Sequence, residues 1–140
     1  MQVIPTCVAG HAIWINIHMA DTWWLRYRGL LARPSPGAGE GLLITRCKGV
    51  HTLGMAYAID LVFLDRDWGI LGIVHHVSPG RWSVAASRGS GARQVLELGA
   101  GEATRLGLQV GQTLHPDVSP ARGSNHSTTS ASAPSASGHS

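Results

Sequence analysis

The sequence predicts an α+β fold. The expected body is a small β-rich domain whose mostly antiparallel sheet is curled, or forms an open barrel, with about six strands and two short helices. Three observations predict it. Apolar residues alternate with polar ones, or run unbroken for four to eight positions, between breaks rich in glycine, proline and aspartate, as strands joined by turns do. Helical spacing appears in two short stretches only. Six strands in so small a body cannot lie flat over one core, so the sheet should curl.

Each element follows in order. In "HAIWINIHMA", Ile13, Ile15, Ile17 and Met19 point one way and Trp14, Asn16 and His18 the other, as in a half-buried strand. Asp21 or Thr22 then caps a helix starting at Trp23, with Trp24, Tyr27, Leu30 and Leu31 as its buried stripe. "RPSPGAGEG" is a loop by composition, and "GLLIT" and "GVHTL" read as short strands. "IDLVFLD" is a central strand, with Leu61 and Phe63 on one face and Val62 and Leu64 on the other. "DRDWG" turns the chain and "GILGIVHHV" returns it, making a hairpin. "SPGRWSVAASRGSGA" is a long loop and "RQVLEL" a further strand. "GAGEATRLGL" makes a short helix that stops at Gly107, and "QVGQTL" closes the body as a strand. From Pro116 onward, serine, alanine, threonine and proline replace large apolar residues. Such a segment cannot bury enough surface to offset its ordering entropy. The expected division is therefore a domain over residues 1–115 and a disordered tail over 116–140.

Composition narrows the functional classes. Hydrophobic residues make up 44% of the 140 and charged ones 14%, which suits a body with one core rather than a disordered chain. The net charge of +3 comes from arginines scattered singly and one lysine, Lys48, so no nucleic-acid-binding stripe is expected. Cys7 and Cys47 permit one disulfide but are read as reduced thiols. No apolar run is long enough to span a bilayer, and Pro5, His11 and Asn16 interrupt any export-signal core, so a cytoplasmic location is expected. "GAGEATRLG" lacks the lysine and spacing of a phosphate loop, and no cofactor is implied.

The stretch "CKGVHTLGMAYAIDLVFLD" concentrates the reactive side chains. On an extended strand Cys47 and His51 stand about 13 Å apart, beyond the reach of a thiolate–imidazolium pair or of one shared metal ion. Cys47 is therefore expected to be structural, since buried cysteine packs as a small hydrophobe. His51 can be oriented by Thr52 or Asp60. Asp60, at the head of an apolar strand, must either accept backbone N–H bonds, pair with an arginine such as Arg28, or serve a pocket. Glu97, between Leu96 and Leu98, is expected to face outward by alternation. Met55 suits a core or pocket wall. His75 and His76, being consecutive, face opposite ways and are expected at the rim.

Three stretches, in order, resemble one known family: "ADTWWLRYRGLLAR", "CKGVHTLGMAYAIDLVFLD" and "ARQVLELGAGEATRLGLQVGQTL". They are similar to the amino-terminal, central and carboxy-terminal signatures of domain of unknown function family 192, in its His-Thr-x-x-Met-x-x-x-Ile-Asp branch. The likeness covers residues 12–115 and implies a small β-rich α+β domain. It implies no catalytic activity. Where the branch often carries a basic residue and a proline before Ile-Asp, this chain has Ala56 and Ala58.

The sequence thus points first to a non-catalytic accessory module that binds a small ligand or a protein partner. Its candidate ligand-binding residues are His51, Thr52, Met55, Asp60, Cys47 and Arg28, with no catalytic residue and no metal site assigned. A small hydrolase or transferase using Cys47 or a His51–Asp60 pair is the first alternative. A transition-metal binder built from Cys47, His51 and His75 or His76 is the second. Oligomeric state stays open.

Overall fold

Nine strands and one helical turn occupy the residues that the computed structural model describes, 3–8, 14–20, 35–86 and 89–117. The strands are β1 (Val3–Val8), β2 (Trp14–Ala20), β3 (Glu40–Thr45), β4 (Gly49–Val50), β5 (Ile59–Leu64), β6 (Ile70–Val77), β7 (Val84–Ala85), β8 (Gln94–Gly99) and β9 (Leu114–Pro116). The helical turn, α1, is Glu102–Arg105. Seven strands form one sheet in the order β6-β5-β8-β3-β2-β1-β9, and β4 pairs with β7 separately. Every pairing is antiparallel except β2 with β3. A parallel pair cannot be closed by a tight turn. Residues 21–39 supply the longer connection.

The sheet curls until its two edges approach. Gly69 bridges Thr113. The Ile70 N–H donates to the Gln112 carbonyl, and the Leu114 N–H donates to the Trp68 carbonyl. The result is a half-barrel with two apolar faces. Inside the curl, Ile15, Ile17, Leu43, Val62, Leu64, Leu96 and Leu98 pack with Ala103, Leu106 and Leu108 from α1 and the segment after it. On the outside, Ile44, Leu61, Phe63, Val77 and Val95 form a second cluster, covered by Val50 and Val84 of the small sheet and by Met55 and Tyr57. Every residue of β5 and β8 is buried. The alternation read from "IDLVFLD" is reproduced: Val62 and Leu64 face inward, Leu61 and Phe63 outward.

Three expectations need correction. The strands number nine rather than about six. The unexpected ones are β1, which carries Pro5 and so breaks a strand pattern, and β7, two residues within a stretch read as a loop; β9 begins only at Leu114, the last residue of "QVGQTL". "GVHTL" is extended only over Gly49–Val50. Gly49 is required there, because a Cβ would lie 2.9 Å from the Val84 carbonyl oxygen and 2.9 Å from the Ala85 Cβ. Glu97 does not face solvent. It is 3% exposed, because β8 lies between β3 and β5 and both of its faces are covered. One helix is found among the described residues; the helix expected from Trp23, with Arg28, falls outside them, as do residues 118–140.

Candidate functional site

The residues singled out in the sequence are distributed over three environments. Asp60, the second residue of β5, is fully buried on the inner face. Its Oδ1 accepts the His76 N–H at 2.9 Å, and its Oδ2 accepts the Gly101 and Ala103 N–H groups at 3.1 and 3.0 Å. These donors replace the water that an ionised carboxylate loses on burial. They join β5 to the start of α1 and to the end of β6, where His76 turns to φ 50°. His75 Nδ1 stands 4.0 Å from Oδ2. The backbone-capping alternative for Asp60 is the one observed. Arg28 lies outside the described residues.

Thr52, Met55 and Cys47 belong to the outer layer. Thr52 is fully buried. Its hydroxyl donates to the Ser78 carbonyl and accepts the Arg81 N–H, both at 2.8 Å. Its backbone N–H donates to Arg81, and its carbonyl accepts from Gly80. It ties the turn after β4 to the loop after β6. Met55 and Cys47 are half-buried against the outer cluster. The Cys47 thiol turns back to the Gly49 carbonyl at 2.8 Å. His51 is exposed and makes no hydrogen bond or ion pair with Asp60 or Cys47. The structure therefore brings Thr52, Met55 and Cys47 onto one layer but sends Asp60 to the other face. Among the described residues no three of His, Cys, Asp and Glu gather at metal-binding distances, so the set Cys47, His51 and His75 or His76 does not assemble.

A cavity of about 530 Å³ lies at the other end of the half-barrel. β2, β3 and β5 run in one direction, so their carboxy-terminal ends meet the amino-terminal ends of β6 and β8 there. The cavity draws Arg46 and Lys48 from the exit of β3, Arg66 from the β5–β6 turn and Arg93 from the entry to β8. Backbone bonds fix these supports. The Arg93 N–H donates to Leu64, and the Arg93 carbonyl accepts from Cys47, so three strand ends meet at one residue. Met19 and Trp68 form the apolar wall, each also packed against the inner cluster. Thr45 and Gln94 complete the lining among the described residues, and none of it is acidic.

The β5–β6 turn is tightly specified. Asp65 Oδ1 accepts the Asp67 and Gly69 N–H groups, each at 2.8 Å, and the Gln94 side-chain amide donates to the Asp65 carbonyl at 2.9 Å. Trp68 is held at φ 67°, a left-handed conformation that costs a bulky L-residue roughly 1–2 kcal/mol. Arg46 is held at φ 54°. Of three non-glycine residues with positive φ among the described residues, two line this cavity, and backbone strain collects at functional sites. Sequence reasoning missed the cavity. Arg66 and Arg93 are far apart in the chain, and only the curl of the sheet brings them to Arg46. The one local signal was a tryptophan in a turn position that favours glycine.

No curated protein matches the chain significantly. Among solved structures, a protein of unknown function from Novosphingobium aromaticivorans shares the fold. The TM-score is 0.72 and the identity 23%, over 82% of this chain and 86% of that one. A Sinorhizobium meliloti protein, described provisionally as a transcription regulator, also has a TM-score of 0.72. It is 22% identical over 82% of this chain and 94% of its own. At such identity the likeness concerns the fold alone. The profile of DUF192, described as "Uncharacterized ACR", matches residues 5–116, most of the chain. Because that match spans most of the chain, the chain belongs to the DUF192 family.

Proposed function

We propose that this domain is a non-catalytic binding module whose ligand is a small anion held in the cavity between Arg46 and Arg93. One observation carries the reading: four of the eleven lysine and arginine side chains of the chain line one cavity that has no carboxylate among its described lining residues. Like charges so collected repel one another, and a bound anion turns that repulsion into attraction. Arginine suits this task, because its planar fork matches phosphate and carboxylate oxygens two at a time. A volume of about 530 Å³ lies in the range of small-molecule sites.

The lining supports binding without chemistry. It carries no thiol, imidazole or carboxylate among the described residues, so no nucleophile–base pair is at hand. This weighs against the hydrolase or transferase alternative. Four cationic side chains in the lining, with no carboxylate, thiol or imidazole among its described residues, disfavour a metal ion there. The Sinorhizobium relative's description raises a nucleic-acid reading, but a cavity concentrates charge at a point, whereas duplex binding needs a stripe or a protruding element. In this reading Thr52 and Asp60 are scaffold residues, and His51 is a surface residue.

Calorimetric titration of the full chain with inorganic diphosphate tests the reading. Binding is expected to weaken at least tenfold in Arg46→Gln/Arg93→Gln and to fall with added salt. A heat of zero for the parent chain, or equal affinity in the double variant, counts against it.

A further inference from the structure

We infer that the cavity takes an aromatic phosphate of the nucleoside diphosphate class, with its base against Trp68 and its phosphates among Arg46, Lys48, Arg66 and Arg93. This rests on the anion-binding reading above and adds the second half of the ligand. The lining has two chemical characters. One is cationic fourfold, more charge than a single carboxylate or phosphate monoester needs. The other is apolar: Trp68 and Met19 are half-buried, each packed against the inner cluster and each lining the cavity. An inorganic anion would leave that apolar part unused, and a purely apolar ligand would leave the cations unneutralised.

The backbone at Trp68 strengthens the case. The turn closes through Asp65 and Gly69 around a residue at φ 67°, where glycine would be relaxed. A Cβ at Gly69 would come within 2.6 Å of Asp65 Oδ2, so a larger residue there would have to displace the carboxylate that caps the turn. The turn thus has its glycine one position later and holds a strained indole at the cavity wall. A flat π-surface beside guanidinium groups accepts a nucleobase by stacking and by cation–π contact. A nucleic-acid strand fits less well, because strand-binding sites run cations and aromatics in succession along a groove.

Calorimetry on the full chain with ADP, adenosine and inorganic diphosphate separates the two halves. ADP is expected to bind at least tenfold more tightly than diphosphate, within the roughly 5- to 150-fold that base stacking on an aromatic side chain provides. Adenosine alone should bind far more weakly than ADP. Trp68→Ala should bring ADP down to within about twofold of the affinity that the same variant shows for diphosphate. Trp68→Phe, which keeps a ring, should retain most of the preference, and guards against a Trp68→Ala chain that fails to fold. If diphosphate binds but ADP is no tighter, or if Trp68→Ala leaves the ADP preference intact, the aromatic half is wrong and the anion site stands. If neither ADP nor diphosphate binds, or adenosine binds as well as ADP, the anion site itself is wrong and this inference goes with it.

Discussion

At the scale of single residues, Asp60 and Trp68 illustrate opposite uses of a costly placement. Asp60 puts a carboxylate at 0% exposure and recovers the lost hydration through three backbone N–H groups from two separate segments. Asp60→Asn presents an NH₂ group to those donors and is expected to cost about 2–3 kcal/mol in denaturant unfolding. The affinity for diphosphate should not change, because the cavity is at the other end of the half-barrel. Trp68 keeps a side chain in a left-handed turn conformation. Because of that strain, Trp68→Gly should be more stable than Trp68→Ala by about 1 kcal/mol, although glycine removes more side chain. Equal stability of the two variants would show a relaxed turn. The sequence made Asp60 legible as a residue needing partners, because a carboxylate at the head of an apolar run has few other options. Trp68 was legible only as a bulky residue in a turn position that favours glycine; its φ angle and its place in a cavity were not, because both depend on how the sheet closes.

At the scale of elements, hydrogen bonds between segments far apart in the chain fix the layers. Thr52 is the clearest case, with side chain and backbone both bonded to residues 78–81. Thr52→Val leaves the Arg81 N–H and the Ser78 carbonyl without their partner. The expected loss is about 2 kcal/mol, with faster hydrogen exchange at Arg81. Glu102 plays a similar part for α1. It receives Arg105 through two bonds of 2.6 and 2.8 Å and the Gly39 N–H at 3.0 Å. The Arg105 hydrogen bonds, with the Gly39 N–H, hold its carboxyl below the usual carboxylate range even though burial works the other way. A depressed folded-state value means that this stabilisation is fully present above the unfolded-state pKa. It is lost as pH falls through the lower folded-state value. Glu102→Gln should therefore lower stability by about 1 kcal/mol at pH 7 and by progressively less in acid, as followed by urea unfolding across pH. Strands β3, β5, β6 and β8 were legible because each carries six or more residues with a clear apolar pattern. β1 and β7 were not, because proline or shortness erases the period and their pairing depends on partners distant in sequence; β4 and β9 were read as strands but with bounds that their few residues could not fix.

At the scale of the whole molecule, the curl of the sheet determines what the protein offers to its surroundings. Closing β6 onto the segment before β9 buries the inner cluster and gathers strand ends at two opposite mouths. α1 and Asp60 plug one mouth. The other stays open and cationic. The family and the β-rich class could be read from the chain, since both rest on local motifs. The cavity could not, because its charges come from three turns that meet only after the sheet has folded. Nothing in the run "CKGVHTLGMAYAIDLVFLD" separates Lys48, which lines the cavity, from His51, which does not.

The most direct measurement is a backbone-amide NMR titration of the full chain with inorganic diphosphate, which reports where an anion settles. A bound anion at the open mouth should shift the amides of residues 45–48, 66–69 and 93–94 in a saturable way, and leave those of residues 51–55, 76–81 and 101–103 in place. Saturable shifts confined to the region of His51 and Thr52, or no saturable shift anywhere, would contradict the account.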